Sequence, residues 1–327
     1  MLGAGAATGP GLGPVISLHE SSRPDGRRTF PLVPRRRLTG LPFGEVPGRR
    51  RGHGSEVIGL RPYALGAPIA SIDWYASARL TATSGSDAFI VRDHAADQAP
   101  RVALIVDRRP SMGLYPEPLP WLAKRAALRE AVAAIVASAA AARADIGALD
   151  FAEGEPWWVP PGRRDRRLLI VEREGEGTPF RAPEDTLERS FAFLTARRRQ
   201  LPAGSFVFVL SDFLAPPSSE TWRTAVDCGW DVVPVVIQDP VWEQSFPAVG
   251  GVMVPVADPR TGAVLRVRVS RRRAAGLRDA HARRLTSLQM QFEAFGLHPV
   301  TIGSSDPWHV DTMFIEWARQ RSGNWRR

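Results

Sequence analysis

The chain has 327 residues, 44% of them hydrophobic and 24% charged, and a formal net charge of +9. This is a globular composition with room for one large domain and a smaller lobe, and no apolar run is long enough to span a bilayer. The single cysteine, Cys228, excludes a disulfide framework or a thiolate metal cluster within one chain.

Residues 1–51 are rich in Gly, Pro and Arg and read as an arm with short extended pieces at 15–18 and 29–33. No basic segment precedes an apolar core there, so the start does not read as a signal peptide. Cytoplasmic residence is expected, at most peripheral to a membrane. Residues 52–98 read as a β-rich lobe of short strands and turns, clearest at Phe89-Ile90-Val91.

From Arg101 the character changes. The apolar run 102–106 ends in a polar turn, as expected for a parallel strand covered on both faces. Leu128, Val132, Ile135, Val136 and Ala139 recur at helical spacing and predict a helix over 119–143. A strand follows at 146–151, a short edge strand at 157–159, and a helix at 185–199. Buried strands at 206–210 and 232–237 complete an alternation of strands and helices. That pattern predicts an α/β fold over 99–325, with a doubly wound, mostly parallel sheet. Segments 251–256 and 264–269 alternate around Asp258-Pro-Arg-Thr-Gly, which predicts a β-hairpin inserted at about 250–270. A helix at 272–295, a strand at 299–302 and a helix begun by Asp306-Pro307 end the chain.

In an open parallel sheet, ligands bind beyond the carboxyl ends of the strands, where the strand order reverses. Three turns place oxygen-bearing side chains at such ends: Asp107 and Ser111, Thr178, and Asp212. Two carboxylates and two hydroxyls converging on one point suit a hard cation such as Mg²⁺.

These residues resemble a von Willebrand factor A domain, whose metal-ion-dependent adhesion site uses Asp-x-Ser-x-Ser, a Thr on a second loop and an Asp on a third. Upstream, Arg51-Gly-His-Gly-Ser-Glu56, Arg61-Pro-Tyr63, Gly66, Ile72-Asp73-Trp74 and Ser77-Ala-Arg79 resemble the bacterial "domain of unknown function 58" family, in which this series precedes a von Willebrand A-like domain. The resemblance covers residues 40–321 and is most specific at Ile-Asp-Trp and Ser-Ala-Arg. It implies a Rossmann-like sheet and a non-enzymatic protein-interaction module. It also implies a MoxR-type AAA+ ATPase as partner in the assembly or maturation of other proteins.

Two departures stand out. Gly66-Ala67 lies where the family has Gly-Asp, and Arg109 occupies the middle Ser of Asp-x-Ser-x-Ser. A guanidinium has donors only and stays charged, so it cannot ligate a cation. Either Arg109 points away and Asp107, Ser111, Thr178 and Asp212 hold Mg²⁺ weakly, or its guanidinium sits against Asp107 and Asp212 as a built-in counter-ion. We favour the second arrangement, in which no cofactor is needed and an acidic partner side chain docks on Arg109. Arg61, Tyr63, Asp73, Trp74, Ser77 and Arg79 read chiefly as a buried Trp with Asp/Arg pairs locking a small strand layer in place, and alternatively as a docking surface.

Two other functions would use the chain's residues differently. A metal-dependent hydrolase or phosphotransferase would use Asp107 or Ser111, but Asp-x-Asp, His-Glu-x-x-His, Gly-x-Ser-x-Gly and the P-loop pattern are absent, and the six histidines form no spaced pair. Binding of nucleic acid or another anionic surface needs the arginines to cluster on one face. Lys124 is the only lysine, and the arginine runs at 35–37, 49–51, 163–167, 197–199 and 271–273 are scattered, so they read as a solvated surface rather than a nucleic-acid site.

Overall fold

The structure, a computed structural model, describes residues 27–35, 57–63, 69–84, 89–94, 100–114, 122–175, 177–258, 260–261 and 263–324. The arm's predicted piece at 15–18 and the motif residues 51–56, Gly66 and Ala67 lie outside them. Among the described residues no helix is long and apolar enough to cross a membrane.

Strands β1 (Val57–Pro62) and β2 (Ile90–His94) pair antiparallel, and helix α1 (Trp74–Ser84) lies between them in the chain. The lobe is therefore not purely β. The Asp73, Trp74, Ser77 and Arg79 motif sits at and on a helix, because Asp73 accepts the amide of Ala76 at 3.0 Å and so caps it.

The main domain contains β3 (Arg101–Val106), α2 (Lys124–Ala141), β4 (Asp145–Asp150), β5 (Trp157–Gly162), α3 (Arg164–Arg173), α4 (Thr186–Thr195), β6 (Phe206–Ser211), α5 (Ser219–Asp227) and β7 (Asp231–Ile237). The hairpin β8 (Val252–Ala257) and β9 (Val264–Val269), then α6 (Arg271–Ala294), β10 (Val300–Ile302) and α7 (Pro307–Asn324) follow. Six strands form one sheet in the order β10-β7-β6-β3-β4-β5, all parallel except the edge strand β5. The chain first winds outward through β4 and β5, then returns to the other side of β3 for β6, β7 and β10. The reversal between β3 and β6 opens a crevice beyond their carboxyl ends.

Alternation along the strands divides the core into two layers. Val102, Leu104 and Val106 face Leu128, Val132 and Ile135 of α2 and Phe314 of α7. Ala103 and Ile105 face Leu187 and Phe191 of α4, Trp222 of α5 and Phe292 of α6. Between β4 and β5 the backbones come so close that a Cβ on Gly147 would lie 2.4 Å from the Val159 carbonyl oxygen. The pairing shifts register at this point.

Residues 27–35 run extended over the first layer without joining the sheet. Phe30 stacks on Phe314 with ring centres 4.7 Å apart and meets Trp317 edge-on. Its amide donates to Ser138 Oγ at 3.1 Å, and buried Arg321 holds both the Val33 carbonyl and the Asp231 carboxylate.

No apolar periodicity marks helix α3 in the sequence, because it is arginine-rich and Ile170 is its one buried residue. The helix expected over 185–199 stops at Thr195, and the one expected from 119 begins at Lys124 among the described residues.

Candidate functional site

Asp107 follows β3 directly and is fully buried. Its amide extends the ladder to the Leu210 carbonyl at 3.0 Å, which fixes the carboxylate over the β3/β6 reversal. The Arg109 amide donates to Asp107 Oδ1 at 2.9 Å, turning the chain so that the guanidinium folds back on the same carboxylate. Arg109 Nε lies 2.9 Å and Nη2 2.6 Å from Asp107 Oδ2. Nη2 also donates to Ser211 Oγ at 3.1 Å, and Nη1 to the Ala215 carbonyl at 2.8 Å. Ser211 in turn donates to Asp107 Oδ2 at 2.7 Å and accepts the Phe213 amide. Phe213 sits at φ +49°, a strained left-handed position for a bulky residue. Its buried ring, packed 5.5 Å from Phe292, holds it there.

Asp212, on the neighbouring strand end, has a different cation. Lys124 Nζ, at the first turn of α2, lies 3.0 Å from Asp212 Oδ2, whereas Arg109 Nη2 is 3.8 Å from Oδ1. Arg109 therefore sits against both carboxylates as expected, hydrogen-bonded to Asp107 and in a looser ion pair with Asp212, whose hydrogen-bonded cation is Lys124. Lys124 also pairs with Glu243 and donates to the Ser111 carbonyl at 3.2 Å. Burial pushes the Asp212 carboxyl up, but the Lys124 ammonium, the Leu214 amide and the Ser111 hydroxyl outweigh it and hold it below the ordinary carboxylate range. Glu243 is the second acid on the same ammonium, and burial leaves its carboxyl raised. For Arg109, burial works against the charged form, yet the Asp107 hydrogen bonds and charge raise its pKa above the ordinary value.

A third set of buried charges adjoins these. Arg108 pairs with Glu174 and lies 3.6 Å from Asp150, which Arg173 also grips with two bonds of 3.0 and 2.9 Å. Burial raises the Glu174 carboxyl in spite of Arg108. Thr178 belongs to this side, since its hydroxyl donates to the Arg173 carbonyl at 2.5 Å. Among the described residues, no hydrogen bond joins it to Asp107, Ser111 or Asp212.

The structure thus brings Asp107, Arg109, Ser111 and Asp212 together and leaves the Thr178 hydroxyl outside their hydrogen bonds. Lys124 and Glu243 were missed. The one available signal was that the chain's only lysine stands at the start of a helix facing the strand ends.

This donor set does not fit a divalent cation. Asp107 and Asp212 are each already covered by a positive group, and the Ser111 hydroxyl is directed at Asp212. At an effective dielectric of about 20, each unit charge about 4 Å from a divalent ion adds roughly 8 kcal/mol of repulsion. Among the described residues, no group of three or more His, Cys, Asp or Glu is placed to hold a metal.

Arg109 is only 3% exposed and its forked edge is taken by Asp107, so a partner carboxylate has no bidentate access to it. Above it lies a cleft of about 220 Å³ lined by Pro110, Ser111, Leu214 and Ala215, beside one of about 420 Å³ lined by Phe180, Arg181, Ala182 and Pro183. An ion pair between Arg260, at the hairpin tip, and Glu184 stands between them.

The upstream motif divides into two roles. Ser77 is buried, donates to the Asp73 carbonyl and accepts the Ile90 amide at 2.9 Å, tying α1 to β2. The Tyr63 amide donates to the Phe89 carbonyl, and Arg61 pairs with Val91 through the backbone. Trp74, expected to be buried, is 61% exposed with its ring edge-on to Phe89, and Arg79 lies over the ring of Tyr75. With one edge contact and most of its ring in solvent, Trp74 suits the docking alternative better than the buried role.

The family model described as "Protein of unknown function DUF58" matches residues 59–289. The chain belongs to this family. The match includes the lobe, the site and the hairpin, and leaves out the 27–35 segment and the β10–α7 end that pack on each other. No curated protein matches the chain. Among solved structures, BatB from Bacteroides thetaiotaomicron is 15% identical over 67% of this chain and 99% of its own, with a TM-score of 0.41. An aerotolerance-related membrane protein from Bacteroides fragilis is 13% identical, over 68% of this chain and 99% of its own, at a TM-score of 0.42. The pilus adhesin SpaC from Lactobacillus rhamnosus GG is 13% identical over 70% of this chain and 31% of its own, at 0.43. These likenesses are distant.

Proposed function

We propose that this DUF58 protein is a non-enzymatic interaction module that works with a MoxR-type AAA+ ATPase in the assembly or maturation of other proteins. The observation that carries this reading is the complete internal pairing of the strand-end charges. Catalysis needs a group free to attack, to exchange a proton or to hold a metal. Here the Asp107 and Asp212 carboxylates are neutralised from within, and the Ser111 hydroxyl points to a carboxylate rather than to a base. Such a site supports a rigid surface better than it supports chemistry.

The resemblance to a von Willebrand A-type adhesion site supplies the location of the contact, and the pairing alters its mode. A partner's acidic side chain would meet Arg181 and Arg260 at the mouth of the clefts, over an apolar floor of Pro110 and Phe180. The test is binding of the purified chain to a MoxR-type ATPase by biolayer interferometry, with Mg²⁺ or with EDTA. Equal affinity in both buffers is expected. A complex dissolved by EDTA in a nucleotide-free assay would overturn the metal-independent mode, and no complex in either buffer would overturn the partner. Turnover of a generic phosphoester that Asp107→Asn abolishes would replace the module with an enzyme.

A further inference from the structure

The buried arginines are matched by acids, Arg108 by Glu174, Arg109 by Asp107 and Arg321 by Asp231. The hairpin and the start of α6 carry arginines of another kind. Arg266 and Arg268 on β9, and Arg271, Arg272 and Arg273 in the first turn of α6, are all exposed. Among the described residues, none of these five side chains makes an ion pair or a hydrogen bond. No acidic residue occurs between Asp258 and Asp279. Three cations and no acid at the positive end of a helix dipole work against the helix, and an anion that met them there would relieve that repulsion.

The same arm exposes aliphatic surface. Met253 is 55%, Val264 61% and Leu265 70% exposed, and Val256 stands opposite Leu265 in the strand pairing. Pro255 and Met253 stand opposite Arg266 and Arg268. One face of the ribbon therefore carries cations beside aliphatic groups, and the other is aliphatic alone. The two strands have no third neighbour among the described residues, and only Val269, at the base, is buried.

We propose that the β8–β9 arm and the first turn of α6 dock on an anionic lipid bilayer. Aliphatic side chains between arginines match the acyl-chain boundary beneath a layer of phosphates. A single-stranded nucleic-acid site would be expected to add aromatic side chains for stacking, and residues 252–291 contain no Phe, Tyr or Trp; the exposed aliphatic groups have no counterpart on a duplex backbone. The strand-end clefts involve Arg260 at the tip of the hairpin, whereas this surface uses Arg266 and Arg268 on β9 and the first turn of α6.

Co-sedimentation of the full chain with vesicles tests the proposal. Binding is expected to phosphatidylcholine vesicles containing phosphatidylglycerol and not to phosphatidylcholine alone. At about fivefold per arginine, the Arg266→Gln/Arg268→Gln/Arg272→Gln variant should bind about 100-fold more weakly. Met253→Ser/Val264→Ser, on the face that carries Arg266 and Arg268, should lose on the order of tenfold while keeping the native melting temperature, since both side chains are exposed. A short DNA duplex serves as the competing polyanion. Equal binding to neutral vesicles, or no loss in the arginine variant, would overturn the proposal. So would a serine variant that binds vesicles like the native chain, or a duplex bound more tightly than the charged vesicles.

Discussion

Arg109→Ser removes the guanidinium from Asp107 and restores a hydroxyl at the middle position of the loop. Asp107 is fully buried, and afterwards it keeps only the Ser211 hydroxyl and the residue-109 amide as donors. Removing one partner of a buried pair costs about 3–5 kcal/mol, because the remaining charge loses its compensation. For a domain of this size each kcal/mol moves the melting temperature by about 2–4 °C, so a fall on the order of 10 °C is expected by scanning calorimetry at neutral pH. Mg²⁺ should recover little of it. Lys124 still sits 3.0 Å from Asp212 Oδ2, and its repulsion of a divalent ion exceeds the roughly 2.7 kcal/mol that a ligand at a hundred times its Kd supplies. The double variant Arg109→Ser/Lys124→Met frees both carboxylates and should gain clearly more from Mg²⁺ than the single variant. A native protein that Mg²⁺ stabilises, or an Arg109→Ser variant that melts with the native protein, would refute the counter-ion reasoning.

Three further outcomes follow from the same contacts. Lys124→Met leaves Asp212 and Glu243 facing each other without their shared ammonium, and should lower stability by about 3–5 kcal/mol in urea titrations. Phe30→Ala empties the slot against Phe314 and Trp317 and should cost about 3 kcal/mol by urea midpoint, although residue 30 lies outside the family match. Glu243 has a folded pKa raised above its unfolded value, so the folded chain holds its proton longer and stability falls as pH rises from about 4.5 through the raised value. Glu243→Gln removes that slope, and thermal melts should therefore show the variant improving relative to the native protein as pH increases over this range.

Much of the architecture was legible because it follows from local chemistry. Residues 102–106, 206–210 and 232–237 are apolar on both faces, which suits only a strand covered by helices on both sides. The Asp258 turn announced the hairpin, and Asp107 and Asp212 were marked by standing just after buried strands. Helix α1 was hidden by its Trp74-Tyr75 start, which reads as strand, and α3 by an arginine content that masks its single buried contact at Ile170. The site's chemistry was legible only in part. Arg109 lies two residues from Asp107 and could be suspected from the motif, whereas Lys124 lies 88 residues before Asp212. Glu243 follows yet another strand. Sequence determined which strand ends carry oxygen; tertiary structure decided which cation reaches each one, because winding α2 and the post-β7 turn over the β3/β6 crevice is what brings Lys124 and Glu243 to Asp212. The exposure of Trp74 and the crowding of unpaired arginines on one arm were likewise settled by packing, since burial depends on which surfaces meet and not on residue type alone.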